Sequence, residues 1–393
     1  MTAFVTVELL ERVRERLAEH AGTPDAAQLA AAIRAEAGGV LADTDLLRAL
    51  RLLQTEMTGA GLLEPLLHDP RVADVLVTGP ESVWIDRGHG LEQTDVRFAD
   101  EAAVRRLAQR LALAAGRRLD DAQPWVDGKL TGTEATLGDA FGVRLHAVLA
   151  PVAHDGTCLS LRILRPATQG LDALAAAGSV PPRAQRLLAD IVRARLAFLV
   201  VGGTGAGKTT LLSALLAAVD PAERIVCVED AAELAPVHPH VVRLVARTAN
   251  VEGVGAVTVR DLVRQALRMR PDRIVVGEVR GAEVVDLLTA LNTGHDGGAG
   301  TVHANSPQEV PARLEALAAL GGMDRAALHS QLAAAVQVIL HVHRRADGTR
   351  ELREIGVLER DSDGIRITPA WRSDDLPTPG AGELERLLEV RLG

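Results

Sequence analysis

The stretch that most limits what this chain can be runs from Leu196 to Val219, LAFLVVGGTGAGKTTLLSALLAAV. Its opening residues form a short apolar run ending in Val200 and Val201 and bounded by glycines, which predicts a buried parallel strand. Helix formers follow from Lys208 onward, and between the two lies Gly202-x-x-x-x-Gly207-Lys208-Thr209. Strand, glycine-rich loop and helix in that order make a P-loop. The glycines let backbone N–H groups turn inward around a phosphate, at a helix N-terminus whose dipole already favours an anion. Residues Gly202, Gly203, Thr204, Gly205, Ala206, Gly207, Lys208, Thr209 and Thr210 are therefore expected to cradle the phosphates of ATP. Lys208 neutralises the β- and γ-phosphates in this reading, and Thr209 offers its hydroxyl to Mg²⁺.

At 393 residues and 47% hydrophobic content, the chain has material for two or three domains with separate cores. A net charge of −9 speaks against a dedicated nucleic-acid binder, whose footprint is a basic domain or stripe. The only cysteines, Cys158 and Cys227, lie far apart in strand-like apolar runs and read as small core residues in a reducing compartment. No apolar run approaches the roughly 20 residues that span a bilayer. The opening MTAFVTVELLERVRERLAEH carries acids and arginines where a signal peptide has its apolar core, so a cytoplasmic location is expected. Lysine occurs only at Lys129 and Lys208, and neither sits in an Asn-Lys-x-Asp setting, which excludes a GTPase base-recognition loop.

Taken in order, the chain predicts an α/β architecture in five parts. Residues 1–60 read as a helical extension: Val7, Leu10, Val13 and Leu17 share a face, Thr23-Pro24-Asp25 opens a second helix, and a third spans Thr44 to Met57. Residues 61–165 read as a small α+β domain. It has a hairpin from Val72–Val77 and Ser82–Asp86, a helix from Asp100 to Ala115, and strands at Val143–Leu149 and Leu159–Leu164. The Pro-, Gly- and Ala-rich stretch 166–182 reads as a linker. Strand and helix then alternate over 183–345, which predicts a parallel sheet flanked by helices, with ligand at the carboxyl ends of the strands. Residues 346–393 complete a hairpin across Asp347-Gly348 and end in a helix from Gly382.

Phosphoryl transfer to water needs a metal, a positioned water and positive charge, so acids at neighbouring strand ends are the next expectation. Glu229-Asp230 with Glu233 follows the strand Ile225–Val228, and Glu278 lies two residues past Ile274–Val276. Glu278 is assigned to hold Mg²⁺ through water or to orient the attacking water, with Glu229 and Glu233 as helpers. The loop Thr293-Gly294-His295-Asp296-Gly297-Gly298 leads into Thr301-Val302-His303-Ala304-Asn305. His295 and His303 are read as γ-phosphate sensors; core histidines or a metal pair are the alternatives. Arg144 and Arg162 lie inside strands of the first domain, as arginine fingers toward a neighbouring nucleotide or as surface ion pairs. Arg268, Arg270 and Arg280 flank the Glu278 strand with the same ambiguity.

GGTGAGKTT, VEDAAEL, LRMRPDRIVVGEVRGAEVVDLL and NTGHDGGAGTVHAN, in that order and spacing, closely resemble the Walker A, Asp-box, Walker B and His-box motifs of the secretion ATPases of type II and type IV secretion and type IV pili. DPRVADVLVTGPESVWIDRG, GRRLDDAQPWVDGKL and GVRLHAVLAPVAHDGTCLSLRIL look like the N-terminal domain of the tight-adherence (Tad/Flp) pilus branch and its conjugation-type relatives. The resemblance covers roughly residues 60–345. It implies a RecA-like P-loop domain joined to the smaller α+β domain, a homo-hexameric ring with ATP between domains, and a motor docked on an inner-membrane platform protein at the cytoplasmic face. It carries the functional roles onto Lys208, Thr209, Glu229, Glu233, Glu278, His295, His303, Arg144 and Arg162. The insertion TGTEATLGDAFG departs from the pattern, and the four-cysteine zinc module of type II members is absent. A conjugation-type ATPase, a nucleic-acid translocase and a nucleotide-gated scaffold remain as other readings.

Overall fold

The computed structural model describes residues 26–37, 42–47, 59–130, 142–249, 253–361 and 364–393, together with 9, 12, 13, 16, 49 and 50. The chain divides into two compact units after Leu164. In the first, α1 (Ala26–Glu36) matches the expected second helix, and its Leu29, Ala32 and Ile33 pack with Leu9, Val13 and Leu46. Most of the first and third expected helices, and the inserted segment 131–141, lie outside the described residues.

The α+β part carries α2 (Glu64–His68) and six strands: β1 (Asp74–Thr78), β2 (Ser82–Asp86), β3 (Leu91–Gln93), β4 (Trp125–Leu130), β5 (Gly142–Val148) and β6 (Cys158–Leu164). They form one antiparallel sheet in the order β3-β2-β1-β6-β5-β4. β3 and β4 escape the sequence reading because β3 is exposed throughout and β4 has a glycine at its centre, so neither shows an apolar alternation. The helix α3 (Glu101–Ala114) begins where Asp100 accepts a hydrogen bond from the Ala103 N–H, and buries Val104, Leu107, Ala108 and Leu111. Those side chains share a core with Val75, Val77, Leu161 and Leu145, which the two-residue strand period puts on one sheet face. The intervening residues Asp74, Arg162, Arg144 and Lys129 line up in register across four strands on the other face.

The second unit is built on eight strands: β7 (Phe198–Gly202), β8 (Ile225–Glu229), β9 (Val241–Val245), β10 (Arg273–Val279), β11 (Ala299–His303), β12 (Val338–Arg344), β13 (Arg350–Asp361) and β14 (Gly364–Arg372). The order is β14-β13-β12-β7-β11-β10-β8-β9, parallel from β12 to β9 and antiparallel through β13 and β14. β7 and β8 are buried at every position, as strands covered on both faces must be. One face packs α4 (Leu171–Ala176), α5 (Pro182–Arg193), α6 (Lys208–Ala217) and α11 (Ala381–Leu392); the other packs α7 (Val259–Ala266), α8 (Glu283–Leu291), α9 (Val310–Leu320) and α10 (Arg325–Ala335).

The structure differs from the sequence reading at residues 166–182. Residues 166–182 are not an extended linker: they carry α4, and Leu171, Leu174 and Val180 are buried in the same core as the P-loop helix. Three apolar residues at spacings of three and six are enough to seat this short segment despite its Pro and Gly content. The hairpin across Asp347-Gly348 pairs β12 with β13, β14 adds one more strand to the central sheet, and α11 buries Leu384 and Leu388 beneath it. Among the described residues no helix is long and apolar enough to cross a membrane. Cys158 and Cys227 are both unpaired thiols, Cys227 fully buried in β8.

Close packing also explains the first P-loop glycine. A Cβ at Gly202 would lie 2.4 Å from the backbone oxygen of Val342 on the neighbouring β12. Backbone cannot swing aside as a side chain can, so Gly202→Ala is expected to destabilise the second unit by about 2 kcal/mol, within the usual range for overpacking. Denaturant unfolding of variant and wild type measures it.

Candidate functional site

The parallel register brings the carboxyl ends of β7, β8, β10 and β11 together. His303 stands opposite Gly202, and Val276 stands opposite Val228, so Gly277 and Glu278 emerge beside Glu229. The P-loop leaves β7, turns through Gly205 at φ +70° and Gly207 at φ +98°, and enters α6 at Lys208. Left-handed backbone at those two positions is what glycine supplies.

In this loop Lys208 Nζ donates to the carbonyl oxygens of Gly202 at 3.0 Å and Gly203 at 3.1 Å. The Ala206 N–H also donates to Gly203 O, at 3.3 Å. The carbonyl oxygens of Gly202 and Gly203 thus accept the loop's own donors. Burial draws the Lys208 ammonium below its ordinary range, while the nearby carboxylates of Glu278 and Glu233 pull the other way. Thr209 Oγ1 donates to Glu233 Oε2 at 3.3 Å, which places a P-loop hydroxyl and an acid from the β8 loop at one point.

Glu229 is 2% exposed. Its Oε1 accepts the N–H groups of Glu233 at 3.0 Å and Leu234 at 2.9 Å, which shapes the loop carrying Glu233. Its Oε2 is buried without a hydrogen-bond partner. Burial pushes the carboxyl up to about 7, against the two N–H donors, which favour the ionised form. Gly277 gives it room, since a Cβ there would meet Glu229 Cγ at 2.8 Å. Glu278 is held by Arg280, whose Nε donates to Oε2 at 2.8 Å; Arg280 Nη1 also reaches Asp230 Oδ2 at 3.0 Å. This answers the ambiguity at Arg280, which is tied to both acid motifs.

The raised carboxyl has a consequence for stability. A group whose proton is held more tightly in the folded chain contributes fully below its unfolded value of 4.5, and that contribution is lost as pH climbs to about 7. Glu229→Gln removes this slope. The variant should melt higher than wild type at pH 8, by a free energy of about 3 kcal/mol at most, with the gap closing toward pH 5. Thermal melts across that range check it.

The donor set suits Mg²⁺. Thr209, Glu233 and Glu278 offer hard oxygens, and Glu229 Oε2 is an unsatisfied oxygen behind them. No three His, Cys, Asp or Glu side chains among the described residues form a metal cage by themselves. Mg²⁺ is commonly held by one or two such side chains together with water and phosphate oxygens.

His303 ends β11 opposite Gly202 of the P-loop strand. His295 does not reach this edge. It precedes Ala299, which pairs with Phe198 at the amino end of β7, so the length of β11 separates it from the loop, and its Nδ1 is hydrogen-bonded to Ala290 O at 3.0 Å. That contact ties the loop before β11 to the end of α8. In the first unit Arg162 pairs with Asp74 at 2.9 Å and Arg144 with Asp127 at 3.0 Å, the ion-pair alternative for each.

Sequence reasoning missed two contributors from the strands beyond 337. His341 lies opposite Val201, is 6% exposed, and is hydrogen-bonded to the Asn305 backbone; burial, helped by His343 and Arg353, lowers it to about 4, so it is neutral. Arg350 Nε donates to Gly205 O at 3.0 Å. Beside it a cavity of about 80 Å³ opens at the start of α6, lined by Leu174, Val180, Gly207, Thr210, Val342 and Leu352 among others. The polar interruptions in VILHVHR were a visible signal for the first, but Arg350 could be found only once β12 was known to lie against β7.

The family pattern for the type II/IV secretion system protein matches residues 56–362. A Mycobacterium tuberculosis (strain H37Rv) protein named for conjugal transfer is 70% identical over 352 residues, covering 90% of this chain and 99% of that one. The type IV secretion system protein PtlH of Bordetella pertussis is 31% identical over 346 residues, covering 81% and 95%. Among solved structures, the pilus retraction motor PilT with bound ADP aligns with TM-score 0.52 at 19% identity over 84% of this chain and 86% of that one, a likeness of fold.

Proposed function

Because the chain belongs to the type II/IV secretion system protein family, we propose that it hydrolyses ATP with Mg²⁺ as the motor of a pilus or secretion machine. The observation that carries the reading is the meeting of Lys208 and Thr209 with Glu229, Glu233 and Glu278 at one edge of the parallel sheet. In this account the P-loop N–H groups and Lys208 take the phosphates, and Mg²⁺ neutralises the charge that builds on the transferred phosphoryl group. Thr209 and Glu233 are the residues that would hold the ion. Glu278, released from Arg280, orients the attacking water. His303 reads the γ-phosphate from β11.

The working unit is proposed as a homo-hexamer on an inner-membrane platform protein, at the cytoplasmic face. In such a ring Arg144 and Arg162 would leave their aspartates to meet a nucleotide held by another domain. The Tad/Flp pilus is the primary setting. A conjugation or type IV secretion machine is the second, favoured by the names of the relatives that share most of its length. The assembly is tested by specific ATPase activity against protein concentration, with sizing in parallel. Activity rising steeply as rings form supports it; full activity in a fraction that sizes as a single chain refutes it.

A further inference from the structure

The contact between Arg350 and the P-loop is the strongest unassigned feature of the second unit. Arg350 opens β13, directly after the turn that joins it to β12. That turn is built to hold it. Gly348 sits at φ +84°, its N–H donates to Arg345 O at 3.0 Å, and Asp347 Oδ1 accepts both the N–H of Thr349 at 2.9 Å and its hydroxyl at 2.6 Å. From this base the side chain crosses to a loop 145 positions away in sequence. Its Nε–H reaches Gly205 O at 3.0 Å, and its Cδ lies 3.2 Å from where a Gly207 Cβ would stand, so a side chain at Gly207 would displace it.

The direction of that one carbonyl matters. In a planar trans peptide the Gly205 C=O and the Ala206 N–H point opposite ways. Holding the carbonyl outward toward Arg350 therefore holds the Ala206 N–H inward, and that N–H now donates to Gly203 O, the same oxygen that takes Lys208 Nζ. A flexible glycine pair on either side of Ala206 would otherwise let this peptide rotate. We propose that Arg350 is a positioning residue for nucleotide binding: it fixes the Gly205–Ala206 peptide so that the loop presents its N–H groups to phosphate before ATP arrives. The loop then exchanges Gly203 O for phosphate oxygens without first ordering its backbone, and affinity gains what that ordering would have cost.

The proposal rests on the ATP-binding reading and is separable from it. Full-length wild type, Arg350→Ala, Arg350→Lys and Lys208→Ala are titrated with a fluorescent ATP analogue and Mg²⁺, and their KM and kcat are measured. For Arg350→Ala the Kd and KM should rise about tenfold, the scale of one charge-assisted hydrogen bond, with kcat at saturating ATP falling by much less. Arg350→Lys, with a single ammonium donor able to reach Gly205 O, should recover part of the loss. Melting points without nucleotide should agree within about 2 °C, while the rise that ATP induces should shrink in Arg350→Ala. Equal Kd values for wild type and Arg350→Ala would overturn the proposal while leaving the ATP reading intact. Failure of wild type itself to bind the analogue would overturn both.

Discussion

Lys208→Ala is expected to lose nucleotide binding by at least about 100-fold, as read by titration with a fluorescent ATP analogue, and to show no measurable hydrolysis. The ammonium is partly buried among backbone carbonyls and lies in the field of Glu278 and Glu233, so it carries positive charge at a point with little water to screen it. Removing it leaves a triphosphate facing three carboxylates with only backbone N–H groups and the helix dipole in its favour. Truncating one partner of a desolvated charge contact costs several kcal/mol, hence the size of the effect. The fold should persist, because the glycines and the packing of Leu211, Leu212 and Leu215 that shape α6 are untouched. A melting point close to wild type without nucleotide, with no rise on adding ATP, is the accompanying result.

Glu278→Gln is expected to separate binding from turnover. Glutamine keeps the shape and leaves Lys208, Thr209 and the P-loop in place, so ATP should still bind within a few-fold of wild type. The rate should fall by about 10²–10⁴, the range typical of removing a group that positions and deprotonates the attacking water. The structure adds a detail to that expectation. Glu278 is engaged by Arg280, which also holds Asp230, so both acid motifs share one guanidinium. A variant at Arg280 would therefore alter rate through Glu278 and Asp230 together, and Glu278→Gln is the cleaner probe.

The parts of this arrangement that were legible in the sequence are local or follow from alternation. The P-loop was readable because strand, loop and helix are contiguous, and the acids because each follows a short apolar strand in a parallel sheet, which sends them to the same edge. His295 and His303 looked alike because they share one glycine-rich motif. Their separation by a strand became visible only with the register, since a strand carries its two ends to opposite edges of the sheet. Composition misread residues 166–182: Pro and Gly set backbone direction there, but Leu171, Leu174 and Val180 decide burial. β14 was missed because its alternation is irregular, with Pro369 inside it at a point where the pairing with β13 shifts. Arg350 reaches the P-loop through the lateral order β13-β12-β7, which no single stretch of sequence contains. Arg144 and Arg162 were correctly placed on strands, and their pairing with Asp127 and Asp74 follows from the neighbouring strands beside them.

We propose that the carboxyl edge of the second unit is an ATP-hydrolysing site completed by Glu278. The most direct measurement is steady-state phosphate release by the purified full-length chain at saturating Mg²⁺ and ATP, with Glu278→Gln prepared and assayed alongside. Wild type should release phosphate steadily, release should stop when Mg²⁺ is chelated, and the variant should be at least about 100-fold slower despite retained ATP binding. Equal rates in the two proteins, or release by wild type that persists without Mg²⁺, would contradict it.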